Sequence, residues 1–137
     1  MKELSVLAEY LTGKSWSEFS DETITAAKLV LVDTLAAMVF GNQSKEIDSM
    51  VSRVRNMESG SFDIIGTGYK TGAFTAAFIN GFGSVATEMD EGNQWSKGHP
   101  AAHVVPAVFT SAQAQADCTG RQFLHSVIVG YEACSRF

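Results

Sequence analysis

Apolar side chains recur at helical spacing along most of this chain. Leu4, Leu7, Ala8 and Leu11 stand at i, i+3, i+4 and i+7, which predicts a short helix over 3–12 that Gly13 closes. Ser20, followed by Asp21 and Glu22, marks the next N-terminus, because the hydroxyl caps and the two acids sit at the positive end of the helix dipole. Ile24, Ala27, Leu31, Val32, Leu35, Ala36, Met38 and Val39 then carry a helix to about Phe40, where Gly41-Asn42 supplies the stop. A stripe this wide predicts burial on more than one side. Asp33 lies inside it and is expected to be a structural carboxylate with a partner, since an unpaired buried carboxylate is costly. Ser44 caps a third helix over 45–57, with Ile47, Met50, Val51 and Val54 inward and Lys45, Asp48, Arg53 and Arg55 toward water.

Beyond a turn at 58–61, Phe62-Asp63-Ile64-Ile65 is the one strand-like run, and a single short strand forms no sheet alone. Gly66-Thr67-Gly68-Tyr69-Lys70-Thr71-Gly72 superficially resembles a dinucleotide-binding loop, with Glu88 at a suitable distance for a ribose carboxylate. Its G-x-G-x-x-x-G spacing and the lack of a second parallel strand remove that context. The expected reading is a glycine turn with Thr71 as helix N-cap. Ala73, Ala76, Ala77, Gly81, Gly83 and Ala86 make the following helix one of small residues that allows close approach. Pro100 suits a first helical position and opens a helix to about Ala116, and Thr119-x-x-Gln122 reads as the capping box of a last helix. The pattern predicts an all-α fold, one domain over 1–137, with a short extended segment near 62–65.

Composition narrows the function classes. The chain has 137 residues, 45% hydrophobic and 18% charged, enough for one core. Its net charge of -5 and lack of a Lys/Arg cluster exclude a nucleic-acid surface. The apolar run from Lys28 to Lys45 is interrupted by Asp33 and Gly41-Asn42, so no membrane span is expected, and the acidic N-terminal stretch does not read as a signal peptide. Cys118 and Cys134 have neither disulfide-framework nor zinc spacing; they read as small buried side chains in a reducing, cytoplasmic compartment.

The chemistry concentrates between Asn80 and Pro106. Glu88, Asp90 and Glu91 place three carboxylates within four residues, and mutual repulsion predicts that one holds a proton more readily than usual. A histidine at a helix N-terminus faces the positive dipole end, which favours a neutral ring able to take or give a proton. His99, beside Pro100, stands there. Glu88 or Asp90 with His99 therefore forms a candidate acid/base pair, and Lys97 is a candidate contact for an anionic substrate. His103 is read either as packed beside Trp95 or a second chain, or as a substrate contact. His99 and His103 also have metal-ligand spacing with a carboxylate nearby, but a side chain at the N-cap and one a full turn later point differently, so no metal is expected.

The combination G-T-G-x-x-T, AAFINGFGSVATEMDEGN, KGHPAAHVVPAVFTSAQ and TGRQFLHSVIVGYEACSRF, with VDTLAA upstream, resembles the MmgE/PrpD family, which includes 2-methylcitrate dehydratase and cis-aconitate decarboxylase. The resemblance implies an all-helical first domain followed by a second domain of mixed structure, with further catalytic His and Lys residues there. It also implies a homodimer, no cofactor, and proton abstraction beside a carboxylate of a small di- or tricarboxylic acid. Glu88, Asp90 and Glu91 match the family's acidic run, and His99 matches its His-Pro. Glu88 is one methylene longer than the usual Asp, and Val85 stands where many dehydratases have His. These changes bring in two alternatives to a dehydratase-type lyase: an isomerase or epimerase, which needs no leaving group, or a non-catalytic helical module that associates with itself or with a missing remainder.

Overall fold

A computed structural model describes residues 2–136. Among them the order is α1 (Lys2–Gly13), a 3-10 turn (Trp16–Glu18), α2 (Asp21–Gly41), α3 (Lys45–Val54), β1 (Phe62–Ile64), β2 (Tyr69–Thr71), α4 (Ala73–Val85), α5 (Pro100–Gln113) and α6 (Gly120–Arg136). The caps read from sequence are in place. Ser20 Oγ accepts from the Thr23 amide at 3.1 Å and Ser44 Oγ from the Ile47 amide at 3.3 Å. Thr119 and Gln122 exchange reciprocal side-chain bonds as a capping box. Phe137 lies outside the described residues.

Two apolar clusters hold these elements. Met38 of α2, Ala101 and Val105 of α5 and Val127 of α6 form one, flanked by Leu31, Leu35 and Phe123. Ile47 and Val51 of α3, Ile64 of β1 and Ile79 of α4 form the other. Each buried aliphatic side chain contributes about 1.5–3 kcal/mol, and the second cluster packs α3 and β1 against α4.

Helix α4 is central because small residues let its neighbours approach. A Cβ on Gly83 would stand 1.8 Å from Asn42 Oδ1 at the end of α2. On the other side, Pro106 lies inside α5 and removes the amide that would have bonded the Ala102 carbonyl. Gly81 lies against that freed carbonyl, where a Cβ would be 3.4 Å from the oxygen. Fully buried Asn80 fastens the hairpin: its Oδ1 accepts from the Ile65 amide (2.9 Å) and from Asn42 Nδ2 (3.1 Å), and its Nδ2 donates to the Asp63 carbonyl (2.9 Å).

Several expectations are corrected. Asp33 is exposed, not buried and paired: the buried side of α2 carries Thr34, Ala37, Met38 and Gly41, while Leu29, Val32, Val39 and Phe40 stay exposed. The apolar stripe is thus covered on one side only. By length and composition alone α2 could also cross a bilayer. The run at 62–65 is not a lone strand, because Phe62–Ile64 pairs antiparallel with Tyr69–Thr71 inside the glycine-rich stretch. Gly66 and Gly68, at φ 78° and 74°, make the turn. Thr71 is therefore a strand residue facing Phe62, and Gly72 is the N-cap of α4. Cys118 and Cys134 are free and only half-buried.

Candidate active site

The acidic loop leaves α4 at Val85 and returns at Pro100, and its ends are tied. The backbones of Asn93 and Gly98 bond to each other at 2.9 and 3.4 Å. Inside that closure Asn93 Oδ1 accepts from the amides of Trp95 (2.9 Å) and Ser96 (3.0 Å), an Asx-type turn that orders the tip. Two non-glycine residues take left-handed backbone conformations there, Glu88 at φ 53° and Lys97 at φ 56°.

His99 is the N-cap residue of α5, but its side chain makes no capping bond. Glu91 does that work from eight residues upstream: its Oε2 accepts from the Ala101 amide at 3.1 Å, one of the first-turn N–H groups with no partner in the helix. The His99 ring is thereby free for other contacts. Its Nδ1 donates to the Glu91 backbone carbonyl at 2.8 Å and lies 2.9 Å from Asp90 Oδ2. That carboxylate oxygen makes no hydrogen bond even so, since the one Nδ1 proton is directed at the carbonyl. The Asp90 side chain is 4% exposed, whereas that of His99 is 52% exposed. A carboxylate this deep is costly without a partner, and the His99 ring is the polar group set beside it. A carbonyl can only accept, so Nδ1 bears the proton in the neutral ring and Nε2 is left with its lone pair. Nε2 has no partner among the described residues.

The other oxygen of Glu91 accepts from the Tyr131 hydroxyl of α6, which in turn accepts from Asn93 Nδ2 at 3.0 Å. Burial first, and the bond to Glu91 second, push the Tyr131 phenol up to about 12, so it stays a donor.

The three neighbouring carboxylates therefore diverge. Asp90 faces His99 and Glu91 faces Ala101 and Tyr131. The exposed Glu88 side chain makes no hydrogen bond or ion pair among the described residues, and the same holds for Lys97. His103 is exposed and does not pack on Trp95, which is itself 95% exposed. It lines a separate groove of about 420 Å³ between α4 and α5 with Phe78, Phe82, Val85 and Pro106. A second cleft of about 430 Å³, between α2 and α6, has Glu22 and Glu132 in its lining, a poor host for anionic ligands. Among the described residues no three His, Cys, Asp or Glu side chains are placed to hold a metal ion.

Of the acid/base candidates Glu88, Asp90 and His99 read from the sequence, the structure brings Asp90 and His99 together; the tie of Glu91 to Tyr131 and Asn93 was not expected. Tyr131 lies forty residues beyond Glu91, and in the sequence it belongs to the VGYEA stretch that carries the family resemblance, which assigns it no role.

The family described as the MmgE/PrpD N-terminal domain matches residues 5–137. The cis-aconitate decarboxylase-like protein oryM of Aspergillus oryzae is 26% identical over 137 residues, covering 95% of this chain and 28% of that protein. A cis-aconitate decarboxylase of Aspergillus terreus is also 26% identical, covering 96% of this chain and 28% of its own length. The chain thus spans little more than a quarter of these relatives. No solved structure matches it significantly.

Proposed function

Because this chain belongs to the MmgE/PrpD family, we propose that it supplies one wall of a lyase site that moves a proton at a carbon beside a carboxylate of a small di- or tricarboxylic acid. The observation that carries this reading is the pair formed by buried Asp90 and half-exposed His99, whose unengaged Nε2 is the proton-exchanging atom. A dehydratase removes a proton from carbon and protonates the departing hydroxyl. A decarboxylase loses carbon dioxide and delivers a proton to the carbon left behind. Both need a group that cycles between protonation states, so the pair supports the lyase class before either member of it. Lys97, on the tip of the same loop, is the cation proposed to meet a substrate carboxylate, and Glu88 is the second proton carrier.

The test uses the full-length protein with cis-aconitate and with 2-methylcitrate, each followed by NMR for an unsaturated product and for carbon dioxide release. His99→Ala should lower turnover about 10²-fold or more. Wild-type turnover by that variant sinks the role. Deuterium entering recovered substrate from heavy water without any product would instead favour the isomerase reading.

A companion reading concerns association. Phe74, Phe78 and Phe82 form an exposed row on α4, and Leu29, Val32, Val39 and Phe40 an exposed patch on α2. Rows of this kind support a dimer of this protein. Analytical ultracentrifugation of the full-length protein checks it, and a monomer at high concentration counts against it.

A further inference from the structure

We infer that Glu91, held by Tyr131, is a positioning residue that locks His99 into its Nδ1–H tautomer. The inference stands on geometry, and its use in turnover rests on the acid/base reading above. Glu91 makes three contacts that converge on one peptide. One carboxylate oxygen takes the Ala101 amide, which fixes Glu91 to the start of α5. The other takes the Tyr131 hydroxyl, which fixes it to α6. Its backbone carbonyl, held between those anchors, takes the proton on His99 Nδ1 at 2.8 Å. Free histidine in water favours the opposite tautomer, with the proton on Nε2, so the ring needs a fixed acceptor on its inner side to reverse that preference.

The second, independent observation is Asp90. Its buried Oδ2 sits 2.9 Å from the same Nδ1 yet has no hydrogen bond of its own. It therefore does not take the proton in this geometry, and the Glu91 carbonyl is the acceptor that fixes it on Nδ1. With that carbonyl held in place, Nε2 is presented outward without a proton.

Tyr131→Phe tests this with little change of volume. In the full-length protein labelled with 15N-histidine, at a pH where the rings are neutral, wild-type His99 should show a protonated Nδ1 and an unprotonated Nε2. In Tyr131→Phe the two nitrogen signals should move toward each other as the Nε2–H form becomes populated. Glu91→Ala should carry that shift further, and unaltered signals of His103 and His125 report an intact fold. An unchanged His99 tautomer in Tyr131→Phe overturns the inference, whether or not Glu91→Ala folds. Kinetics separate the two claims: a shifted tautomer with kcat reduced and KM held supports both. A shifted tautomer with unchanged kcat leaves the positioning role standing and removes the acid/base reading.

Discussion

Gly41 and Gly83 meet backbone to backbone where α2 ends against α4: a Cβ on Gly41 would fall 1.9 Å from the Gly83 carbonyl oxygen. Nothing flexible can yield there, because the obstructing atom belongs to a helix backbone. Gly41→Ala should therefore lower stability by about 1–3 kcal/mol or more, read from the urea midpoint. Gly13→Ala is the matched control. Nothing lies within 4 Å of its added methyl, and the change should stay within about 1 kcal/mol.

Asn80 makes a second prediction. Asn80→Leu keeps the branched shape but leaves the Ile65 amide, the Asp63 carbonyl and the Asn42 amide without this partner. Each buried polar group left unpaired costs about 1–3 kcal/mol, so a loss of at least about 3 kcal/mol is expected. Hydrogen exchange at the Ile65 amide should accelerate before that of the α5 core. Undiminished protection there would show that the hairpin holds without Asn80.

Lys97 separates stability from binding. Its left-handed backbone costs an ordinary residue about 1–2 kcal/mol relative to glycine, which pays part of that back as unfolded-chain entropy. Lys97→Gly should leave the thermal midpoint unchanged or higher, while Lys97→Ala should not raise it. If the ammonium meets a substrate carboxylate, both variants raise KM alike. Unchanged KM in both removes Lys97 from the site.

Acid sensitivity follows from Glu58. Hydroxyls of Thr75 and Thr71 donate to its carboxylate, and these bonds hold it below the usual glutamate value of 4.5. Glu18, bonded by the Ser15 amide and hydroxyl and by Lys14, is lowered further, to about 2. In both cases the folded state binds the proton less readily than the unfolded chain. Their contribution is present above about pH 4.5 and fades below it, for Glu18 as the pH falls toward 2. The thermal midpoint of Glu58→Gln should fall less steeply than that of the wild type across this window. Parallel curves would assign the acid loss elsewhere.

The helices and most of their caps were legible in the sequence because their causes are local: a serine hydroxyl reaching an amide three residues on, or a proline suited to a first turn. The hairpin was not, since three-residue strands give too short an alternation to distinguish from a turn, and their pairing depends on Asn80 from α4. Asp33 misled for a related reason. An apolar period locates a helix face but does not tell whether a neighbour covers it. At the site, residue type and the His-Pro junction pointed to Glu88 or Asp90 with His99, and the meeting of Asp90 with His99 needed the fold. The role of Glu91 was hidden because its partners come from two other helices, and no spacing along the chain encodes that meeting.

The Asn93–Gly98 bridge has a consequence for how this protein can diversify. It cuts the loop into a closed base, where Asp90, Glu91 and His99 interlock with α5 and α6, and a tip of four residues, Gln94 to Lys97, that hangs outside the lock. Mutations in the tip can recast what approaches His99 without reopening the packing beneath it. Selection for a new ligand and selection for a stable chain thus act on different residues, although both sets lie within one short connection.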